Sequence, residues 1–513
     1  MHKKLKIGII LLAVVILGRV CLFKEKKETH TAIHISQKVI EIHLTPNFNN
    51  ASITVNPKIF GVNIGFAFGR ELDKDSGFVQ LLRAMHPASL RFPGGTVANY
   101  YHPNLPVYGY VKNEIPFGLG VLYNIQSKRS ENILYNYIRL SKLVGSSAVY
   151  CANLMTGTLE ETMFVLDELK KHNIPILGVE LGNEFNLLPY REKEFKSGKI
   201  YADKVKATAA AIRQKYPEIK IAIVGADIVP DDDNNQRSRF MRSWNQQLSE
   251  ENFYDAYVWH FYANCANCDN NKNFDQVYVQ NLQELAPFKT KKLDAISDGF
   301  QKIYGNQHKL WLTEWNISNT TFLENTFTQA AYVYESFLKM IDINIQQNNY
   351  IEISHLHAMD ALINPYKGKM KALYAIDGEN ATMQYVAFKY LAETLSNDVF
   401  AATQQISCSD NAVRNQFLCR TFIRKTDNTV FIHFINRSGH KIRLHIDDTT
   451  IYNGTITSID ADVPYATIGK TVYEKEYPEK VKPARLQQKN SIQNNLDIAP
   501  FSLGYIAFKI DKK

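Results

Sequence analysis

The stretch GVELGNEFNL, from Gly178 to Leu187, decides how this chain is read. It begins as a short apolar run, as a strand covered on both faces does, and ends in a glycine, an asparagine and a glutamate. Two carboxylates, Glu180 and Glu184, stand four residues apart in it. Charge is costly in such a strand unless something offsets its burial, so each acid needs a reason. On one continuous strand, residues i and i+4 face the same way about 13 Å apart. That puts Glu184 at a rim open to substrate. It puts Glu180 lower, in a packed interior where it needs an Arg or Lys partner. Chemistry is therefore expected of Glu184 and support of Glu180.

Outward from this stretch, short apolar runs alternate with segments of helical period from about Phe60 to Leu395. Strands are predicted at 60–66, 89–95, 147–155, 176–184, 219–227, 255–262, 309–316 and 351–360. Helices are predicted at 159–173, 201–217, 328–347 and 383–395. An eightfold strand–helix repeat of this length predicts an α/β fold, a (β/α)₈ barrel over residues 60–395. No glycine-rich fingerprint follows the first strand, which argues against a nucleotide-binding open sheet. After Ser396 the texture changes. Residues 417–447 and 501–510 alternate apolar and polar positions around turns, which predicts an antiparallel β-sandwich over 396–513. Residues 39–59 share that texture and are expected to join the sandwich.

Functional groups of such a barrel collect at the C-terminal ends of its strands. The second strand ends in Arg91-Phe92-Pro93-Gly94-Gly95, the third in Asn153 and the fourth in Gly182-Asn183-Glu184. The sixth ends in His260-Phe261-Tyr262 and the seventh in Thr313-Glu314-Trp315-Asn316. The eighth carries His355, His357 and Asp360. Glu184 and Glu314 would face each other across the mouth, as the two acids of glycoside hydrolysis do. Other readings stand beside these. Arg91 also reads as the partner of Glu180, and His260 and Tyr262 as core polar groups. Trp315 reads as a sugar platform or as packing under the rim. His355 and His357 read as satisfied polar groups or substrate contacts, since no companion His pair completes a metal site. A metal-dependent hydrolase using His260, His355, His357 and Glu314 is a further reading. The two-carboxylate reading needs no cofactor and no metal.

GVELGNE, LWLTEWN, SLRFPGG and VWHFY together resemble clan A retaining glycoside hydrolases. The closest look is to the α-L-arabinofuranosidase and heparanase/β-glucuronidase groups. The resemblance implies a barrel with a sandwich built from both chain ends. It implies Glu184 as acid/base and Glu314 as nucleophile. It also implies Asn183 on the sugar 2-hydroxyl, Arg91 keeping the nucleophile ionised, and His260 and Tyr262 lining the substrate site. The expected activity is double displacement on a plant-type or uronic-acid-containing oligo- or polysaccharide. The alternative is a non-catalytic carbohydrate-binding protein on a degenerate barrel.

The rest of the sequence sets the surroundings. A net charge of +8 is spread out after residue 30, so no nucleic-acid partner is expected. HKKLK followed by IGIILLAVVILG (Ile7 to Gly18) reads as an export signal within residues 1–22, and 23–38 as a polar linker. A periplasmic, cell-surface or extracellular location follows. Whether the segment is cleaved, lipidated at Cys21 or kept as a membrane anchor through residues 7–18 stays open. Cys408 and Cys419 suggest a hairpin disulfide, and Cys265 and Cys268 a local one or half a zinc site that no second CxxC completes. Cys151, in an apolar run, reads as simply buried.

Overall fold

A computed structural model describes residues 33–510 except 34, 50, 52, 65–70, 106–108, 117–130, 265–273, 319–322, 358–361, 364–369, 372–375, 378–379, 396–397, 449–450, 470, 472 and 475–476. The export segment, Cys21, Cys265, Cys268 and Asp360 lie outside the described residues. Among those described, no helix is long and apolar enough to cross a membrane.

Strands β1 (Ser36–Asn47) and β2 (Ile53–Thr54) come first. The eight expected barrel strands follow as β3 (Gly61–Asn63), β4 (Ser89–Phe92), β5 (Ser147–Cys151), β6 (Ile176–Glu180), β7 (Lys220–Val224), β8 (Ala256–Asn264), β9 (Lys309–Ser318) and β10 (Ile351–Leu356). They close into a parallel barrel in which β10 pairs with β3. Helices Leu159–Lys171, Gly198–Lys215, Phe327–Gln346 and Met383–Thr394 fall where the periodicity put them. The first is set by its ends. Thr158 and Glu161 form a capping box, and Lys170 and Lys171 complement the dipole of the last turn.

The barrel interior is layered. Its floor is an apolar cluster of Val149, Ala222, Ala256, Val258, Trp311 and Ile353. Trp311 fills the centre, and Gly178 makes room for it, since a Cβ there would meet the indole at 2.2 Å. Two residues on, and therefore on the same face, Glu180 points inward one layer higher.

Two short hairpins, β11 (Leu362–Ile363) with β12 (Met370–Lys371) and β13 (Ile376–Asp377) with β14 (Asn380–Ala381), come after the barrel strands. The sandwich then uses β15 (Val399–Ala401), β16 (Thr403–Cys408), β17 (Phe417–Arg424), β18 (Thr429–Asn436), β19 (His440–Ile446), β20 (Tyr452–Asp460), β21 (Arg485–Ile492), β22 (Asn495–Ile498) and β23 (Ser502–Lys509). One sheet runs β16-β1-β19-β22 and the other β2-β15-β17-β18-β23-β20-β21. Their facing sides bury one core, including Ile42, Leu44, Phe434, Ile442 and Ile506. Both N-terminal strands join these sheets. The sandwich departs from the antiparallel expectation at one pair: β1 lies parallel to β19. Inward–outward alternation is the same in either direction, so the sequence pattern does not distinguish them.

The expected Cys408–Cys419 bridge does not form, and both thiols are free. Their strands belong to different sheets. The Cys408 thiol turns to the Asp410 carbonyl at 3.3 Å, while Cys419 sits in the sandwich core. Cys151 is free and buried, as expected.

Candidate active site

Strand β6 ends at Glu180, earlier than its apolar pattern suggested. The chain leaves the barrel wall at Gly182, where φ is +101°, and Glu184 itself adopts φ +54°. Glu184 thus reaches the mouth from a turn and not as the continuation of a strand face. Its side chain keeps 25% of its exposure, whereas Glu180 is fully buried. The exposed place expected of Glu184 and the buried place expected of Glu180 are both found, by a different geometry.

Glu180 finds the cation that its burial demanded. The Arg91 guanidinium, from the second barrel strand, donates from Nε and Nη2 to the Glu180 carboxylate at 2.7–3.1 Å. It also donates from Nη1 to Glu314 Oε2 at 3.1 Å and to Asn63 Oδ1 at 3.1 Å, and from Nη2 to Asn183 Oδ1 at 2.9 Å. Arg91 therefore contacts Glu180 and Glu314 at once. It is 0% exposed and lies beneath the mouth, so it orders the carboxylates from below and does not line the open site. Burial alone would lower its pKa, but Glu180, Cys151 and Glu314 raise it overall.

Glu314 sits at the centre of the site. Its Oε1 accepts from the Tyr262 hydroxyl at 2.5 Å, and its Oε2 from Arg91. His260 Nδ1 lies 3.7 Å from Oε2, and His357 Nδ1 lies 3.8 Å from Oε1. Burial would raise the Glu314 pKa. The fields of His357, His260 and Arg91 and the Tyr262 hydrogen bond outweigh it and hold the carboxyl down at about 2. Burial lowers the pKa of His357, so the constant positive charge here is Arg91. The Tyr262 hydroxyl is pushed up by burial and by Glu314, and stays protonated.

His260 joins the two acids. Its Nδ1 lies 2.9 Å from Glu184 Oε1 as well as 3.7 Å from Glu314 Oε2. Adding these distances gives an upper bound of about 6.6 Å on the separation of the two oxygens, reached only if the three atoms were collinear. Burial opposes the charged form of His260, but Glu314 and then Glu184 overcome it and raise its pKa. Asn183 is buried with its Oδ1 on Arg91, and its Nδ2 is buried with no hydrogen-bond partner among the described residues.

The remaining expected residues part ways. Trp315 packs under the rim, 0% exposed, with Nε1 on Ser354 Oγ at 2.7 Å and its ring against Phe337, so it offers no sugar platform. Asn153 folds back on its own turn, accepting from the amides of Met155 and Thr156 and donating to the Tyr101 carbonyl. His355 lies in the interior, Nε2 3.0 Å from Ser89 Oγ, and burial lowers its pKa strongly. Only His357 of that pair borders Glu314. Among the described residues, no cluster of three His, Cys, Asp or Glu side chains is arranged to hold a metal ion. Asn63 escaped the sequence reading. It braces Arg91 and donates to the Thr313 carbonyl at 2.7 Å, and its place at the end of the first barrel strand was the available signal. An opening of about 320 Å³, partly open to solvent, adjoins Glu184 and His260 and includes Asn186, Asp227 and Trp259 in its walls.

No protein-family model and no curated protein sequence matches the chain. Solved structures do. An α-L-arabinofuranosidase from Thermotoga maritima, in complex with arabinose, superposes with a TM-score of 0.64 at 14% identity, covering 92% of this chain and 100% of its own. A family 51 α-L-arabinofuranosidase from Bifidobacterium longum gives 0.62 at 14% identity, covering 91% and 99%. A bifunctional glucanase-xylanase from a metagenome library gives 0.58 at 10% identity, covering 92% and 99%. The barrel and sandwich are thus the architecture of family 51 and related clan A glycosidases.

Proposed function

We propose that this chain is an exported retaining glycoside hydrolase with Glu314 as nucleophile and Glu184 as acid/base. The observation that carries the proposal is the pair of carboxylates that share His260, with Glu314 buried and braced by Arg91 and Tyr262. Retaining enzymes hold their carboxyl groups about 5–5.5 Å apart and inverting ones about 6.5–9.5 Å apart. A nearest-oxygen separation of at most about 6.6 Å reaches only the lower edge of the inverting range, which favours retention.

In the first step Glu314 attacks the anomeric carbon as the bond to the leaving oxygen breaks, and Glu184 gives that oxygen its proton. In the second, Glu184 takes a proton from water, whose oxygen attacks the same carbon and frees Glu314. His357, His260, Arg91 and Tyr262 together favour the ionised form of Glu314. The buried Asn183 Nδ2, which has no hydrogen-bond partner among the described residues, is the donor left for a sugar hydroxyl once substrate is seated. The substrate class that fits best is a plant-type or uronic-acid-containing glycan. Support comes from the arabinofuranosidase and glucanase-xylanase relatives in fold. Export rests on the basic and apolar N-terminus, and cell fractionation of the full chain tests it.

The activity test is hydrolysis of aryl α-L-arabinofuranoside, β-D-glucuronide, β-D-xyloside and β-D-glucoside, and of polysaccharides. Wild type is assayed beside Glu184→Ala and Glu314→Ala. One substrate class should be cut, and both variants should lose it. Azide should rescue them through glycosyl azides of opposite anomeric configuration. Binding of a glycan without hydrolysis of any substrate would favour the non-catalytic alternative.

A further inference from the structure

We propose that Asn99 is the positioning residue for Glu184, setting its reach by clamping the backbone of the preceding residue. The inference builds on the acid/base reading of Glu184. Past the end of β6, the strand ladder closes with the Leu181 amide on the Ala222 carbonyl. Asn183 then lies between two residues of positive φ, Gly182 and Glu184. A non-glycine residue held there is strained, and it keeps that conformation only where its surroundings dictate it.

One side chain dictates it. Asn99 is 0% exposed; its Oδ1 accepts from the Asn183 amide at 3.0 Å and its Nδ2 donates to the Asn183 carbonyl at 2.8 Å. A primary amide carries donor and acceptor side by side, and so replaces the missing neighbouring strand. The carbonyl it holds belongs to the peptide that leads into Glu184, so its orientation bears directly on the φ of Glu184. Beyond Glu184, Phe185 is stacked on Phe195 with centroids 4.0 Å apart, and the Glu184 carbonyl accepts from the Leu187 amide at 2.9 Å. The acid is thus fixed from both sides. Asn99 lies on the short helix Thr96–Tyr100, which follows β4, and β4 carries Arg91. One connection therefore orients both carboxylates: Glu314 directly through Arg91, and Glu184 through Asn99 and the Asn183 backbone.

The test uses aryl glycosides of the sugar cut in the panel, α-L-arabinofuranosides first, with a good leaving group (2,4-dinitrophenyl) and a poor one (phenyl). The readout is kcat/KM, which reports the first step. Glu184→Ala provides the signature of a lost acid: a large loss with phenyl and a small one with dinitrophenyl, which needs no proton. Asn99→Asp removes the donor to the Asn183 carbonyl, and Asn99→Ala removes both hydrogen bonds. Both should reproduce that signature more weakly, about a hundredfold loss with phenyl and under about threefold with dinitrophenyl. Losses equal on both substrates, or no loss, beside an intact Glu184→Ala signature overturn the role of Asn99. So does failure of both variants to fold, which would make the residue structural. If Glu184→Ala itself shows no dependence on the leaving group, the acid/base reading falls, and the role of Asn99 falls with it.

Discussion

Tyr262→Phe isolates one contact in the site. The substitution removes a hydroxyl that donates to Glu314 Oε1 at 2.5 Å and leaves the ring beside His357. A hydrogen bond to an ionised group contributes about 1.5–3 kcal/mol, and about 1.4 kcal/mol corresponds to one pKa unit. Because the bond favours the ionised form, its loss raises the Glu314 pKa. From about 2 in the intact site, the carboxyl should rise by about one to two units, to about 3–4. The acidic limb of kcat/KM should move up by the same amount, while at neutral pH Glu314 stays ionised in both proteins. The assay is kcat/KM for a dinitrophenyl glycoside between about pH 3 and 8, with folding followed by tryptophan fluorescence at each pH. A folded variant that stays fully active down to about pH 3, with no acidic limb between about 3 and 4, would refute this account of what holds Glu314 ionised.

Three further outcomes follow from the same geometry. Arg91→Met strands two buried carboxylates and should cost about 3–5 kcal/mol in denaturant unfolding, whereas Arg91→Met combined with Glu180→Met should recover part of that loss. A double variant less stable than the sum of the singles would contradict the pairing. Gly182→Ala places a Cβ 2.0 Å from Phe185 at φ +101°, so thermal unfolding should fall and activity should fall further, through the displaced Glu184. Unchanged activity would show that this turn does not set the acid's position. The Glu314 pKa is lower in the folded protein than its ordinary value of 4.5, so its contribution to stability is complete above about 4.5 and is lost as the pH falls toward about 2. Glu314→Gln removes that contribution and should flatten the acid side of the stability curve. An equally steep curve in the variant would assign acid unfolding to other groups.

Much of this molecule is legible in its sequence. Charge inside an apolar strand demanded a cation for Glu180, and Arg91 supplied one. Strand ends rich in polar residues located the mouth, because a barrel buries everything below it. Other features depend on what a one-dimensional pattern does not carry. Glu184 was placed by extending a strand that stops at Glu180, since period and polarity do not reveal where the chain turns to positive φ. Asn99 sits on a short helix with no distinguishing motif, and its importance comes from a backbone 84 residues away. Cys408 and Cys419 have hairpin spacing, but the chain changes sheets between them. Trp315 is an aromatic at a strand end like any sugar platform, and only packing against Phe337 turns it inward.

The most direct test of the central claim is the anomeric configuration of the first product. Proton NMR during the opening minutes of hydrolysis, before mutarotation, reads it without any variant. Two carboxylates bridged by one histidine predict that the released sugar keeps the configuration of the substrate. An inverted product would mean that water enters between Glu184 and Glu314, and that Glu314 is not a nucleophile.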